Sequence, residues 1–154
     1  MGIQASAKIN INRDIKTVFD FISNLENDKL WRKEINSTSM SSKPQINVIA
    51  TEDSFLSKRV PNQILHLKCI DFLTEKQVIY QTLENSPFFL KSTRQVEFIS
   101  PMQTNVNYSI EFDKSIVKHG IGFTLPTFII NWVTKTDMKK YLVKLKSVIE
   151  ETQA

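Results

Sequence analysis

Residues with reactive side chains are few in this sequence and lie far apart. His66 and His119 are the two histidines, and neither is part of a nucleophile motif. Cys69 is the one cysteine, so it has no partner for an internal disulfide or a zinc site. The sequence therefore predicts no catalytic residue, no metal and no cofactor, and its single cysteine favours a cytoplasmic protein.

Arg94 is the charged residue whose position in the pattern raises a chemical question. It shares strand parity with Val96 and Phe98, so it could point into the interior. A buried guanidinium must be paired with a carboxylate or aimed at an acidic group of a ligand, because an unpaired buried charge is costly. The alternative, which the sequence favours, is that the strand twists and Arg94 lies at an exposed end.

Residues 120–151 form the element that must position such side chains. An unbroken helix here would have about seven or eight turns. One continuous helical stripe contains Phe123, Thr127, Ile130, Thr134, Met138, Tyr141, Leu145 and Val148. The opposite side of the first half is also apolar, and we expect other parts of the chain to cover Leu125 and Phe128. We expect Ile129 and Trp132 to form part of a lid or of an interface. The corresponding partners would be a membrane, contacted transiently, or a second copy in a weak homodimer, with the monomer as the other state.

The rest of the chain reads as one strand, two short helices and six further strands. Residues 3–11 alternate between apolar and polar side chains, which predicts the first strand. A short helix capped by Asn12 or Asp14 follows, and a second ends at Trp31. Six more strands are expected near residues 35–40, 46–55, 64–72, 78–83, 92–99 and 104–112. This order predicts an α+β fold in which the long helix covers a curved antiparallel sheet.

Length, composition and charge narrow the classes of protein further. A chain of 154 residues with 41% hydrophobic residues fits a single domain, residues 1–154, with its own core. The formal net charge of +4 comes from basic residues spread along the chain, which does not favour nucleic-acid binding. No apolar run reaches the ~18 residues of a membrane span, which predicts a soluble protein.

Three segments resemble the START and Bet v 1-like superfamily, also called SRPBCC or the polyketide cyclase and lipid transport superfamily. The first is DIKTVFDFISNLENDKLW, with Val18 and Phe19 in the place of the family's apolar pair and Trp31 in that of its tryptophan. The second is the hairpin VEFISPMQTNVNYSIEF, in which Thr104 opens the last strand. The third is GFTLPTFIINWV followed by YLVKLKSVIEE. The resemblance covers nearly the whole chain.

This resemblance implies a helix-grip fold, with about seven strands wrapped around the C-terminal helix, and an apolar ligand site between them. It implies binding or transport of a hydrophobic small molecule or lipid. The residues alone leave open whether the inward side chains fill the core or line a pocket. The candidate ligand-binding residues are Tyr80, Arg94, Val96, Phe98, Tyr108, Ile110, Phe123, Thr127, Ile130, Thr134 and Tyr141.

Two other functions fit the same scaffold. The first is an enzyme of the polyketide cyclase or dehydratase type, in which a cavity orients the substrate and a few polar groups move protons. Its candidate polar residues are Tyr80, Arg94, Tyr108 and Tyr141. The second is a protein-interaction module.

The hydroxyls of Thr127 and Thr134 could bind a ligand or the helix carbonyls four residues back.

Overall fold

The computed structural model describes residues 2–151, in which seven strands form one antiparallel sheet. The strands are β1 (Gly2–Ile11), β2 (Ile35–Met40), β3 (Ile49–Ser54), β4 (Gln63–Leu73), β5 (Gln77–Thr82), β6 (Leu90–Ser100) and β7 (Gln103–Asp113). Their order across the sheet is β1-β7-β6-β5-β4-β3-β2, so the first strand pairs with the last. Register shifts in β2–β3, β4–β5 and β6–β7 mark bulges, which bend and twist strands and so curve the sheet into a half-barrel.

Two short helices follow β1 as the sequence predicts. Helix α1 (Ile15–Ser23) begins at Asp14, whose carboxylate accepts a hydrogen bond of 3.1 Å from the backbone N–H of Thr17. Its apolar face buries Val18, Phe19 and Ile22. A 3₁₀ helix (Leu25–Leu30) continues the chain, and the buried Trp31 follows it. This segment covers one end of the concave sheet face.

The C-terminal part of the chain contains two helices where one was predicted. Helix α2 (Lys114–Ile121) ends at Gly122, which has a φ of 89°, a left-handed conformation that glycine adopts without strain. Helix α3 (Thr127–Glu151) begins after Pro126, whose carbonyl accepts hydrogen bonds from the N–H groups of Ile129 and Ile130. The prediction of a helix starting at residue 120 is therefore wrong, because Gly122 ends one helix and Pro126 precedes the next.

Helix α3 packs on the concave face along much of the predicted stripe. Its buried residues are Ile130, Met138, Leu142, Leu145 and Ile149. Phe123 and Thr127 are exposed, since the first lies before α3 and the second in its first turn. Leu125 is half-buried against the core, as expected, but Phe128 is 73% exposed, so the cover predicted for it is absent from the described residues. Within residues 2–151, no helix is both long and apolar enough to cross a membrane.

Candidate functional site

A cavity of about 250 Å³ lies under α3. Strands β6 and β7 form its floor, and α2 and α3 form two of its walls. The turn before β2 and the loop after β3 complete the lining. Its apolar lining consists of Leu56, Leu90, Ile110, Phe112, Ile116, Val117, Gly120, Ile121 and Met138. Its polar lining consists of Arg32, Glu34, Ser92, Tyr108, Thr134, Asp137 and Tyr141. The cavity is thus amphipathic, with an apolar wall and a polar end.

Helix α2 supplies much of the apolar wall because of its spacing. Ile116, Val117, Gly120 and Ile121 recur at helical intervals and all line the cavity. Gly120 also permits close packing, since a Cβ atom there would lie 3.2 Å from the Cβ atom of Leu56. The glycine therefore lets α2 lie directly against the loop after β3.

A buried ion pair joins the sheet to the 3₁₀ helix beside the cavity. Arg94 donates two hydrogen bonds to Asp28, from Nη1 to Oδ1 at 2.8 Å and from Nη2 to Oδ2 at 2.6 Å. It also donates from Nε to Ser92 Oγ at 3.1 Å and from Nη1 to the carbonyl of Ile22 at 2.9 Å. Although burial opposes its charge, pairing with Asp28 raises the pKa of Arg94. This guanidinium therefore has a structural role, because it ties β6 to the 3₁₀ helix.

Two aromatic rings enclose the same guanidinium. Its central carbon lies 5.1 Å from the ring centroid of Trp31 and 5.4 Å from that of Tyr108. The two rings meet edge to face, with their centroids 5.4 Å apart. Aromatic faces attract the cation while excluding water, so this arrangement isolates Arg94 from solvent.

Arg32 connects the buried ion pair to the polar end of the cavity. Its Nη1 donates to Asp28 at 2.9 Å and to Glu52 at 3.2 Å, and its Nη2 donates to Glu34 at 3.1 Å. Burial raises the pKa of Glu52, and the neighbouring carboxylates of Asp28 and Glu34 add to this, while Arg32 opposes it. Two guanidiniums thus share three carboxylates.

Unpaired polar atoms remain at the cavity end of this network. Arg32 Nε and Glu34 Oε1 are buried and have no hydrogen-bond partner. Burial raises the pKa of Tyr141, and the nearby carboxylates of Glu34 and Asp137 raise it further. Its phenol therefore stays protonated and can donate a hydrogen bond. Among residues 2–151 there is no cluster of His, Cys, Asp and Glu that could hold a metal ion.

The structure brings four of the predicted ligand-binding residues together at the cavity. These are Tyr108, Ile110, Thr134 and Tyr141. Four others are buried elsewhere in the core: Tyr80, Arg94, Val96 and Ile130. Tyr80 donates a 2.7 Å hydrogen bond to the carbonyl of Ser23, and burial raises the pKa of its phenol. The exposed strand end favoured for Arg94 is wrong, because Asp28 neutralises it inside the protein.

Three of the predicted site residues are exposed and lie outside the cavity. Phe98 has the inward parity of β6 but lies near the end of the strand, beside a bulge, and is 58% exposed. Phe123 belongs to the link between α2 and α3, and Thr127 opens α3. Strand parity and helical phase alone placed them inside, but both patterns fail where an element ends.

Sequence reasoning missed Arg32, Glu34, Asp137 and the whole of α2. The apolar residues of α2 recur at helical spacing, and this signal was available in the sequence. Arg32 and Glu34 lie in the turn between Trp31 and β2, where no periodicity marks a residue as inward. Arg32 is held in place by Asp28 and Glu52, and Glu34 in turn pairs with Arg32.

Solved structures share this architecture over nearly the whole chain. A START superfamily protein from Mycobacterium smegmatis superposes with a TM-score of 0.76 at 10% identity, covering 97% of this chain and 99% of that one. The Zhui aromatase/cyclase from Streptomyces gives 0.72 at 9% identity, covering 97% and 94%. A norcoclaurine synthase from Thalictrum gives 0.64 at 10% identity, covering 100% and 98%.

The chain therefore has the helix-grip fold of the START and Bet v 1-like, or SRPBCC, superfamily, which confirms the fold predicted from its sequence. No family model and no curated protein sequence matches the chain. At such low identities the likeness concerns the fold, and an argument about function must come from the cavity itself.

Proposed function

We propose that this protein binds or carries a hydrophobic small molecule or lipid in the cavity under α3. The observation that supports the proposal is an apolar wall of nine residues facing a polar end, enclosing about 250 Å³. Ligand sites in proteins are concave and mainly apolar, with a few polar groups that fix orientation. This volume suits a small amphiphile or one end of a larger lipid.

The polar end favours a neutral hydroxyl on the ligand. A carboxylate would meet Glu34 and Asp137, while the Nη atoms of Arg32 are already engaged. A hydroxyl both donates and accepts, so it can donate to the carboxylates of Glu34 or Asp137 and accept from the protonated phenol of Tyr141, all of which line the cavity. The acidic ligand group considered for Arg94 does not fit, because Asp28 occupies that guanidinium.

Competition binding with three amphiphiles of equal chain length tests this proposal. Octanol, octylamine or octanoate is added to the purified protein loaded with a neutral fluorescent probe, and displacement of that probe is measured. We expect octanol to bind most tightly and octanoate most weakly, and Glu34→Gln to reduce the difference between them. Displacement by none of the three, together with no cavity-bound molecule in native mass spectrometry, would contradict binding. Tightest binding of octanoate would contradict only the hydroxyl.

An enzyme of the polyketide cyclase or dehydratase type is the alternative. Tyr108 and Tyr141 line the cavity and could supply its proton-moving groups, whereas Tyr80 and Arg94 are committed to Ser23 and Asp28. The measurement is turnover of a linear poly-ketone mimic by the wild type and by Tyr141→Phe. Turnover that falls at least tenfold in Tyr141→Phe, with unchanged probe binding, would favour the enzyme over the carrier.

A further inference from the structure

Two large aromatic side chains project from the outer side of α3 into solvent. Phe128 is 73% exposed and Trp132, one helical turn further on, is 70% exposed. Val143 continues the same line and is 63% exposed. With 3.6 residues per turn, all three lie within about 60° of one another around the helix axis. Burying these rings would be favourable, so the described fold leaves a surface suited to contact with something else.

Lysines surround these apolar side chains. Lys135, Lys139, Lys140 and Lys144 are all exposed, and Lys139 lies between Phe128 and Trp132 around the axis. We call these four lysines with Phe128, Trp132 and Val143 the outer face of α3. Between Thr127 and Lys146 the one acidic residue is Asp137, which lines the cavity. The outer face is therefore cationic as well as apolar.

We propose that the outer face of α3 docks on an anionic lipid bilayer. Aromatic rings sit favourably at the level of lipid headgroups, and lysines around them attract acidic lipids while their chains reach the water. A second copy fits this surface poorly, because a two-fold pairing would set lysines against lysines. A bilayer complements both the charge and the apolar character of the face.

Docking in this way would also bring the cavity close to the lipid. Thr134 and Asp137 line the cavity and belong to the same two turns of α3 as Trp132. A ligand leaving the bilayer would then have a short path under the helix. The docking itself does not depend on the proposed ligand, so it can be tested with vesicles alone.

Tryptophan fluorescence reports the contact directly. The chain has two tryptophans, and Trp31 is 3% exposed, so a change on adding vesicles arises from Trp132. With vesicles of phosphatidylcholine and phosphatidylserine we expect a blue shift, co-sedimentation, and weakening of both in high salt. With phosphatidylcholine alone we expect at least tenfold weaker binding. Equal binding to both compositions, or none to either, overturns the proposal.

Two variants separate this surface from general charge effects. Reversing Lys135, Lys139, Lys140 and Lys144 to glutamate should lower binding to acidic vesicles at least tenfold. The matched control reverses four exposed lysines elsewhere, Lys8, Lys33, Lys43 and Lys76, and should retain most of the binding. Phe128→Ser with Trp132→Ser should also weaken it.

Three results with these variants would overturn the proposal. One is equal loss in the two lysine variants. Another is a concentration-dependent dimer in sedimentation that the serine variant abolishes, because the face would then be a self-contact. The last is preference for an oligonucleotide over acidic vesicles.

Discussion

Two polar regions lie next to each other beneath α3, and they differ in how completely their groups are paired. Around Asp28, all three guanidinium nitrogens of Arg94 donate hydrogen bonds, and two aromatic rings close the site. At the end of the cavity, Glu34 and Arg32 each keep a buried atom without a partner. The first region leaves no room for a ligand, although Trp31 Nε1 is also buried there without a partner, whereas the second borders an open volume.

The difference shows why a buried charged residue is a poor marker of a binding site by itself. Arg94 is the most conspicuous charged residue of the interior, yet its bonds are those of a structural brace between β6 and the 3₁₀ helix. Polar side chains that line an open volume beside an apolar wall are the better marker, because a ligand can reach them. The following changes test this division between the two regions.

The largest effect is expected from removing the charge of Asp28. In Asp28→Asn, Arg94 and Arg32 both lose a carboxylate partner inside the protein, which should lower the free energy of unfolding by ~3–5 kcal/mol. Asp137→Asn, at the cavity, should cost less than ~1 kcal/mol, because Asp137 is half-buried. Urea denaturation measures both. Similar losses in the two variants would mean that the regions do not differ as described.

Cys69 is buried opposite Tyr80 in the β4–β5 pair, and the pH dependence of stability tests how far its thiol is shielded from water. Burial raises the pKa of its thiol from 9.0 to about 11, so the folded state favours the protonated form. This contribution to stability is fully present below pH 9.0 and is lost as the pH rises through about 11. Between about pH 8 and pH 11 the wild type should therefore lose ~2 kcal/mol more than Cys69→Val. Parallel loss in both proteins would show that the thiol ionises freely.

Much of the fold could be predicted from the sequence, because it rests on local periodicity. The alternation in β1 and β7 and the Asp14 cap of α1 are all visible in the chain. The pairing of Arg94 with Asp28 was not predictable from periodicity, since the two residues are 66 positions apart and one lies in an irregular segment. Strand parity allowed an inward Arg94, but the sequence favoured an exposed strand end, and neither the burial nor the partner was predicted.

The candidate site was less predictable than the fold. Tyr108, Ile110, Thr134 and Tyr141 follow from strand parity and helical phase. The polar end depends on Arg32 and Glu34, whose turn conformation no periodicity encodes. Helix α2 forms one wall of the cavity, and the break at Gly122 that ends it lies inside the single helix predicted for residues 120–151. The shape of a cavity thus depends on how elements end and join.

Filling the cavity under α3 tests whether the ligand binds there. Val117→Phe places a ring in the space between α2 and the sheet. We expect the affinity for octanol to fall at least tenfold. The free energy of unfolding should change by less than ~1.5 kcal/mol. Val143→Phe is the matched control, because this residue lies on the outer face of α3. Unchanged binding in Val117→Phe would place the ligand elsewhere.

The smallest and most direct comparison applies one substitution to both regions. Tyr80→Phe removes the donor of the 2.7 Å hydrogen bond to the carbonyl of Ser23 and leaves a buried acceptor unpaired, which should cost ~1–2 kcal/mol in the free energy of unfolding. Tyr141→Phe removes a hydroxyl that lines the cavity, where water can take its place, so the cost should stay below ~0.5 kcal/mol. Probe binding should respond in the opposite order, with Tyr141→Phe weaker and Tyr80→Phe unchanged. If one variant loses both stability and probe binding, the cluster around Asp28 and the cavity are coupled. The two regions would then not have separate structural and binding roles.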